Sequence, residues 1–556
     1  MNQPSALRFN AIRPGRVRTT FVLAAALAGF AGATVLAENT NSMFKPTHAW
    51  PGGLDPRPEI SSVSRAEGSM IVKWFGIQGP YQVQRGSSVA PESWEAIGGP
   101  TYDTTATMSL DGGMGIVRIQ GSAPNYAGWA ACQGCHRSAY TNWIHTAHFR
   151  AFTTLKEIKQ DSNPQCLPCH TVGFGLNGGF VDWETTPLLA GVQCENCHGP
   201  SANHVADFTD LSVRPSVTIA AEVCGGCHTD AHHPTFDEWK ESLHGIADPH
   251  VAEGFISQGE PRMLACGPCH SGAVRLALLN QLKRPNEPLP SREDAAYFPI
   301  TCATCHNAHE NTLASQLRNP TYSLQNFSYS TSTNTSFAKQ YDPTVQLCAQ
   351  CHNMRGARWQ DTGRPPHHSP QYNVLVAQGG FDFDNHELST HARDLQKQCA
   401  HCHTHPHEVE HPDENAPNYT GHTFEMHYEA CAECHGSAEG SEALTMATQN
   451  QIRNRIAEVQ ALLESWSTNK APEVLRNKYG QFAWEYTTAG QLSNPEGLAT
   501  IKGPTSAEQT EVPDAIKQAR MNLYLVEHDG SYGVHNGRYA RWLLNVAKTN
   551  VVELLK

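Results

Sequence analysis

The chain has 556 residues, with 53 acidic against 40 basic side chains and a formal charge of −13. That balance makes nucleic acid and anionic lipid poor partners and favours basic protein surfaces. The length allows several domains, yet a hydrophobic fraction of 39% is thin for a large core built from side chains alone.

Residues 1–37 read as a secretory leader. Arg8, Arg13, Arg16 and Arg18 form a basic start without acids, and the apolar run from Phe21 to Leu36 follows. Val35-Leu36-Ala37 is a small-residue cleavage site before Glu38. The run is short for a bilayer span, so removal is expected rather than anchoring, and no later segment is apolar enough to cross a membrane. Cleavage would take the formal charge from −13 to −17. Residues 38–56 form a linker with Pro46, Pro51, Gly52, Gly53 and Pro56.

Over residues 57–122 the pattern has period two, the signature of strands. Met70, Val72 and Trp74 alternate with Ser69, Ile71 and Lys73, while Gly-Gly-Pro at 98–100 and Asp-Gly-Gly at 111–113 supply turns. A small all-β sandwich is expected, and it resembles a fibronectin type III module. The segment has no Cys or His, so a spacer or lid role stands beside adhesion or partner docking.

From 123 to 438 the chain carries nine copies of Cys-x-x-Cys-His, which use all 18 of its cysteines. The thiol pairs are Cys132 and Cys135, Cys166 and Cys169, Cys194 and Cys197, Cys224 and Cys227, and Cys266 and Cys269. Cys302 and Cys305, Cys348 and Cys351, Cys399 and Cys402, and Cys431 and Cys434 complete the set. The histidines that follow are His136, His170, His198, His228, His270, His306, His352, His403 and His435.

Each motif is the attachment signature of haem c. Two thiols one helical turn apart reach the two vinyl groups of a porphyrin, and the adjacent imidazole reaches its iron. A bare thiol pair also suits half a zinc site or a redox dithiol. Neither of those needs a histidine after every second cysteine. Motifs start 28 to 51 residues apart, too close for each haem to own a domain. Packed haems, supplying the missing apolar volume, are therefore expected within a mainly α and irregular domain. Haem is joined to such motifs outside the cytoplasm, in agreement with the leader. Two stretches in this region, Arg284–Pro290 and Asn319–Tyr341, read as exposed loops.

Over residues 439–556 the period becomes helical. Ile452, Ile456, Val459, Leu463 and Trp466 share a face near 443–468, and Pro513-Asp514 starts a helix with Ile516, Met521 and Leu525. A third helix over about 538–555 presents Leu543, Leu544, Ala547, Val551 and Leu554. These faces either pad the haem domain or meet another subunit, so an oligomer stays open.

Beyond the nine motif histidines there are 21 others, enough to close every iron from its far side. The run Cys132-Gln-Gly-Cys-His136 to Tyr140, Trp143, Thr146 and His148 resembles the superfamily of hydroxylamine oxidoreductase. That superfamily includes its tetrahaem electron-carrier partner and the pentahaem nitrite reductases. Glu238-Trp239 to Ser242 and His244 repeats the cadence, and Ser389-Thr390-His391 does so in part. Cys194-Glu-Asn-Cys-His198 to His204, Cys302-Ala-Thr-Cys-His306 to His309, Pro365 to Gln371, Gly421-His422 and His528 to His535 fit the same family.

The resemblance nominates His148, His204, His244, His309, His368, His391, His407, His422 and His535 as second axial ligands. His367 competes with His368, and His405 with His407. No motif replaces its His with Lys, the substitution common at the catalytic haem of the nitrite reductases. If one haem is open, motif five at Cys266–His270 is the candidate, because no other His follows before His306.

The expected function is an exported electron-transfer protein, periplasmic or at the cell surface, passing electrons among mostly bis-histidine haems to redox partner proteins. Two other classes remain: an oxidoreductase acting on a small nitrogen or sulfur compound at one open haem, and a subunit of a conductive filament.

Overall fold

The computed structural model describes the strands between 59 and 121, and residues 126–556 except 177, 216, 282–285, 319–346, 382–388 and 396. The leader, the linker, Asn319–Tyr341 and Arg284-Pro285 lie outside the described residues, whereas 286–290 are described without helix or strand.

Six strands follow the period-two pattern: β1 (Glu59–Ala66), β2 (Ser69–Phe75), β3 (Tyr81–Gly86), β4 (Trp94–Ala96), β5 (Thr105–Ser109) and β6 (Ile116–Gly121). They form two antiparallel three-stranded sheets in the orders β1-β2-β5 and β4-β3-β6. Alternation puts Val72, Trp74 and Met108 of one sheet against Tyr81, Val83 and Val117 of the other. Trp74 meets Tyr81 edge to face at 5.7 Å.

The rest of the described chain is helical or irregular. It divides into two compact units, one including residues 148–217 with the strands and 126–137, the other 138–147 with 218–556. Motifs one to three lie in the first unit and motifs four to nine in the second.

Most helices in the motif region are single turns, as Pro- and Gly-punctuated sequence between attachment sites dictates. The exceptions include Ala147–Glu157, Glu260–His270 and Gly272–Gln281.

The side-chain core sits at the C-terminal end. Helices Ala438–Asn469, Asp514–Asp529 and Gly537–Leu555 bury Ile452, Ile456, Val459, Leu463, Ile516, Leu525, Leu543 and Val551 in one cluster. Ser437 caps the first helix, Asp514 sits in the first turn of the second after Pro513, and Gly530 ends the second with φ +72°. The apolar faces are thus covered within the chain.

A buried polar network holds the loop between these helices. Arg520 donates from Nη1 to the carbonyls of Trp484 (2.9 Å) and Glu485 (2.8 Å), and from Nη2 to Gln509 Oε1 (3.0 Å). Glu485 accepts from Tyr524 Oη and the Tyr486 amide, and burial pushes its carboxyl above the usual range.

Candidate haem-binding site

The motifs lie on helical turns or at helix ends, which brings cysteines and histidine to one side. The His amide donates to the carbonyl of the first Cys at 2.9 Å in His136, His228 and His306 and at 3.0 Å in His352. Between the thiols of motif three, Glu195 is fully buried and accepts from the amides of Ala127 (2.9 Å), Gly128 (2.7 Å) and Ser201 (2.7 Å). Burial raises its carboxyl pKa, and these three amides oppose the shift. Asn196 donates to Thr171 O at 2.9 Å, just past motif two, and Gln193 accepts from Trp129 N at 2.8 Å, just ahead of motif one. One motif's own side chains therefore set the other two in place.

Six motif histidines face a second imidazole from a distant part of the chain. His136 faces His204 with ring centroids 6.5 Å apart, His270 faces His367 at 6.0 Å, and His306 faces His422 at 6.3 Å. His352 faces His244 at 6.0 Å, His403 faces His535 at 6.3 Å, and His435 faces His391 at 6.2 Å. An iron between two imidazoles, with metal–nitrogen bonds of about 2 Å and about 1 Å more to each ring centre, requires centroids about 6 Å apart. The spacing suits a bis-histidine iron and is too wide for direct ring contact. Among the described residues no three His, Cys, Asp or Glu side chains converge as a zinc cage would require.

Several facing rings are oriented through Nδ1, as ligand imidazoles need. Nδ1 meets the carbonyl of Ser315 in His306 (2.8 Å), Phe424 in His403 (2.8 Å), Val534 in His391 (3.2 Å) and Thr420 in His422 (3.2 Å). His170 of motif two meets Ala151 O at 2.8 Å in the same way. Glu238, 7% exposed, accepts from Thr420 N and His422 N, both at 2.7 Å, and so fixes the loop that presents His422.

His367, and not His368, faces His270: adjacent residues project apart, and the His368 ring lies on that of His528 at 3.7 Å. Motif five, named as the candidate open site, is thereby the one His367 faces. Three other nominations sit elsewhere. His148 is half-buried, with its carbonyl accepting from Val192 N (3.0 Å) ahead of motif three; burial lowers the pKa of its imidazole. His309 is exposed, with its amide on Asn307 Oδ1 at 3.1 Å. His407 is exposed and pairs through its backbone with Tyr419, while His405 is half-buried.

Sulfurs of different motifs also meet. The thiol of Cys132 lies within hydrogen-bonding reach of Cys194, Cys224 of Cys302, Cys269 of Cys351, and Cys348 of Cys399. In each pair the shared hydrogen bond and burial push the first thiol up. Cys305 lies in electrostatic reach of Cys348 and Cys351, and Cys402 of Cys431. With haem attached these sulfurs become thioethers, so the adjacency carries over and the acidity does not.

The family model for cytochrome c554 and c-prime matches residues 131–199. Cytochrome c-554 of Nitrosomonas europaea is 35% identical over 190 residues, covering 25% of this chain and 80% of that one. The chain belongs to this family of multihaem c-type cytochromes. The cytochrome is also 26% identical over 290 residues to the multiheme cytochrome MtrA of Shewanella baltica, covering 44% of this chain and 78% of that one. Among solved structures, the outer cell wall cytochrome OcwA superposes with a TM-score of 0.49 at 18% identity, over 77% of this chain and 99% of that one. The cytochrome binds haem c and transfers electrons. No described helix is long and apolar enough to cross a membrane.

Proposed function

We propose that the cytochrome carries nine haems c, one at each motif, and is exported to pass electrons between redox proteins through mostly bis-histidine irons. The six facing imidazole pairs support this reading most strongly, because ligands on both sides of an iron suit electron transfer and leave no position for substrate. His148 and His309 are candidates for the second ligand at motifs two, three or four.

Haem supplies the ferric–ferrous couple. The chain's own residues orient the ligands through Nδ1 and keep neighbouring motifs in contact. In the first unit the sulfur contacts join motifs one and three. In the second they join motifs four and six, five and seven, and seven and eight. Motif seven thus meets both five and eight. The leader and the site of haem attachment support a periplasmic or cell-surface location, and the acidic charge favours a basic redox partner.

The alternative of a substrate reaction at motif five is disfavoured by His367 standing opposite His270. Ferric spectra test the reading. Low-spin signals indifferent to cyanide, nitrite and hydroxylamine are expected. A high-spin signal from one haem in nine, shifting on those additions, would favour an enzyme.

A further inference from the structure

The second unit gathers three arginines where motifs five, six and seven meet. Arg275 lies on helix Gly272–Gln281, which begins two residues after His270 of motif five. Its side chain is 3% exposed, and Nη2 donates to Gln350 Oε1. Gln350 is itself 1% exposed and stands between Cys348 and Cys351 of motif seven. Arg318 donates from Nε to Ala303 O at 2.7 Å, between the thiols of motif six. Arg355, three residues past His352, donates from Nη2 to Ala265 O at 2.7 Å, immediately before Cys266. The same junction is closed by Cys351 Sγ, 3.8 Å from Pro268 O inside motif five. Each guanidinium is thus fastened to the attachment turn of a different motif or to the residue preceding it.

Guanidinium keeps its charge in proteins, so burial here holds positive charge in a poorly screened place. Glu310 faces Arg318 and offsets part of one charge, and Asp248 acts on the imidazole of His270. Reduction adds one electron to an iron with no bond made or broken. A fixed cation nearby therefore favours the ferrous state.

We propose that Arg275, supported by Arg355 and Arg318, raises the reduction potential of the haem at motif seven and makes this junction an electron sink. The inference deepens the electron-transfer reading and rests on it. Arg275 acts through the field it exerts on the haem and is a positioning residue, not a catalytic one. Since the sulfur contacts of motif seven reach motifs five and eight, electrons entering the second unit would collect there before moving on.

The test is a potentiometric titration of the haem-loaded, full-length protein. Arg275→Gln should move one haem of the complement downward by about a tenfold change in its reduction equilibrium, 59 mV for one electron, with haem content unchanged. Arg275→Lys should restore most of the shift. An unmoved titration in fully loaded Arg275→Gln, or an equal shift in Arg275→Lys, would overturn the inference and leave the electron-transfer reading intact. If Arg275→Gln fails to mature, Arg355→Gln removes the half-buried cation that holds Ala265 O, and a smaller downward shift is expected. No shift there would equally overturn the inference. A wild-type protein lacking haem at motif seven would sink the underlying reading instead.

Discussion

Asp529 Oδ1 lies 2.6 Å from Nδ1 of His535, whose ring faces that of His403 with centroids 6.3 Å apart. Asp529 is 3% exposed. His391, His403, His306 and His422 turn Nδ1 to backbone carbonyls instead. A carboxylate partner draws the imidazole toward imidazolate, strengthens it as a ligand and stabilises the ferric state. Asp529→Asn should therefore raise the potential of the haem at motif eight by about 59 mV, a tenfold change in its equilibrium. Redox titration of the variant checks this, and an unchanged curve would contradict it.

His244 follows motif four in sequence but faces His352 of motif seven. His244→Ala should convert one haem from low to high spin and leave the segment around His228 intact. Electron paramagnetic resonance, combined with proteolytic mapping of the ligand-sensitive haem peptide, separates the two motifs. A change assigned to the Cys224–His228 peptide would refute the pairing.

Glu238 accepts three hydrogen bonds, from Thr420 N (2.7 Å), Thr420 Oγ1 (2.8 Å) and His422 N (2.7 Å). Glu238→Ala removes the acceptor of those half-buried donors, at a cost of about 3 kcal/mol. Thermal unfolding should show a lower Tm, and the spectrum of the motif-six haem should broaden or turn partly high-spin as His422 loosens.

Glu527 and His528 lie side by side, Oε2 and Nε2 3.1 Å apart, without hydrogen-bond alignment. Burial holds both neutral: it pushes Glu527 up to about 7 and His528 down to about 3. The raised carboxyl contributes stability that is present below pH 4.5 and lost as pH rises through about 7. The lowered imidazole contributes stability that is present above pH 6.5 and lost as pH falls toward about 3. Between pH 4.5 and 6.5 the two slopes oppose one another. Glu527→Gln removes the first term, so its Tm should rise more steeply with pH from 5 to 6.5 than the wild type's. Parallel Tm profiles would contradict this assignment.

The attachment turns were legible because thiols and imidazole are neighbours in sequence. The three C-terminal helices were legible because Ile452, Val459, Leu463, Leu525 and Leu543 repeat at helical spacing. The pairing of ligands was not. His535 meets His403 and His422 meets His306 only after the chain has folded back over more than a hundred residues. Local pattern also could not choose between His367 and His368, since stacking on His528 decides which ring is left to face His270. Glu195, Glu238 and Arg275 look like surface charges by composition, and only burial against amides or a glutamine reveals their roles.

Electron transfer through a nine-haem chain requires haem at every motif. Intact-mass measurement of the mature protein, from a host that attaches haem c, reads that number directly. The mass of the cleaved polypeptide plus nine haems is predicted, whereas a colourless chain, a zinc adduct or a haem count below nine would contradict it.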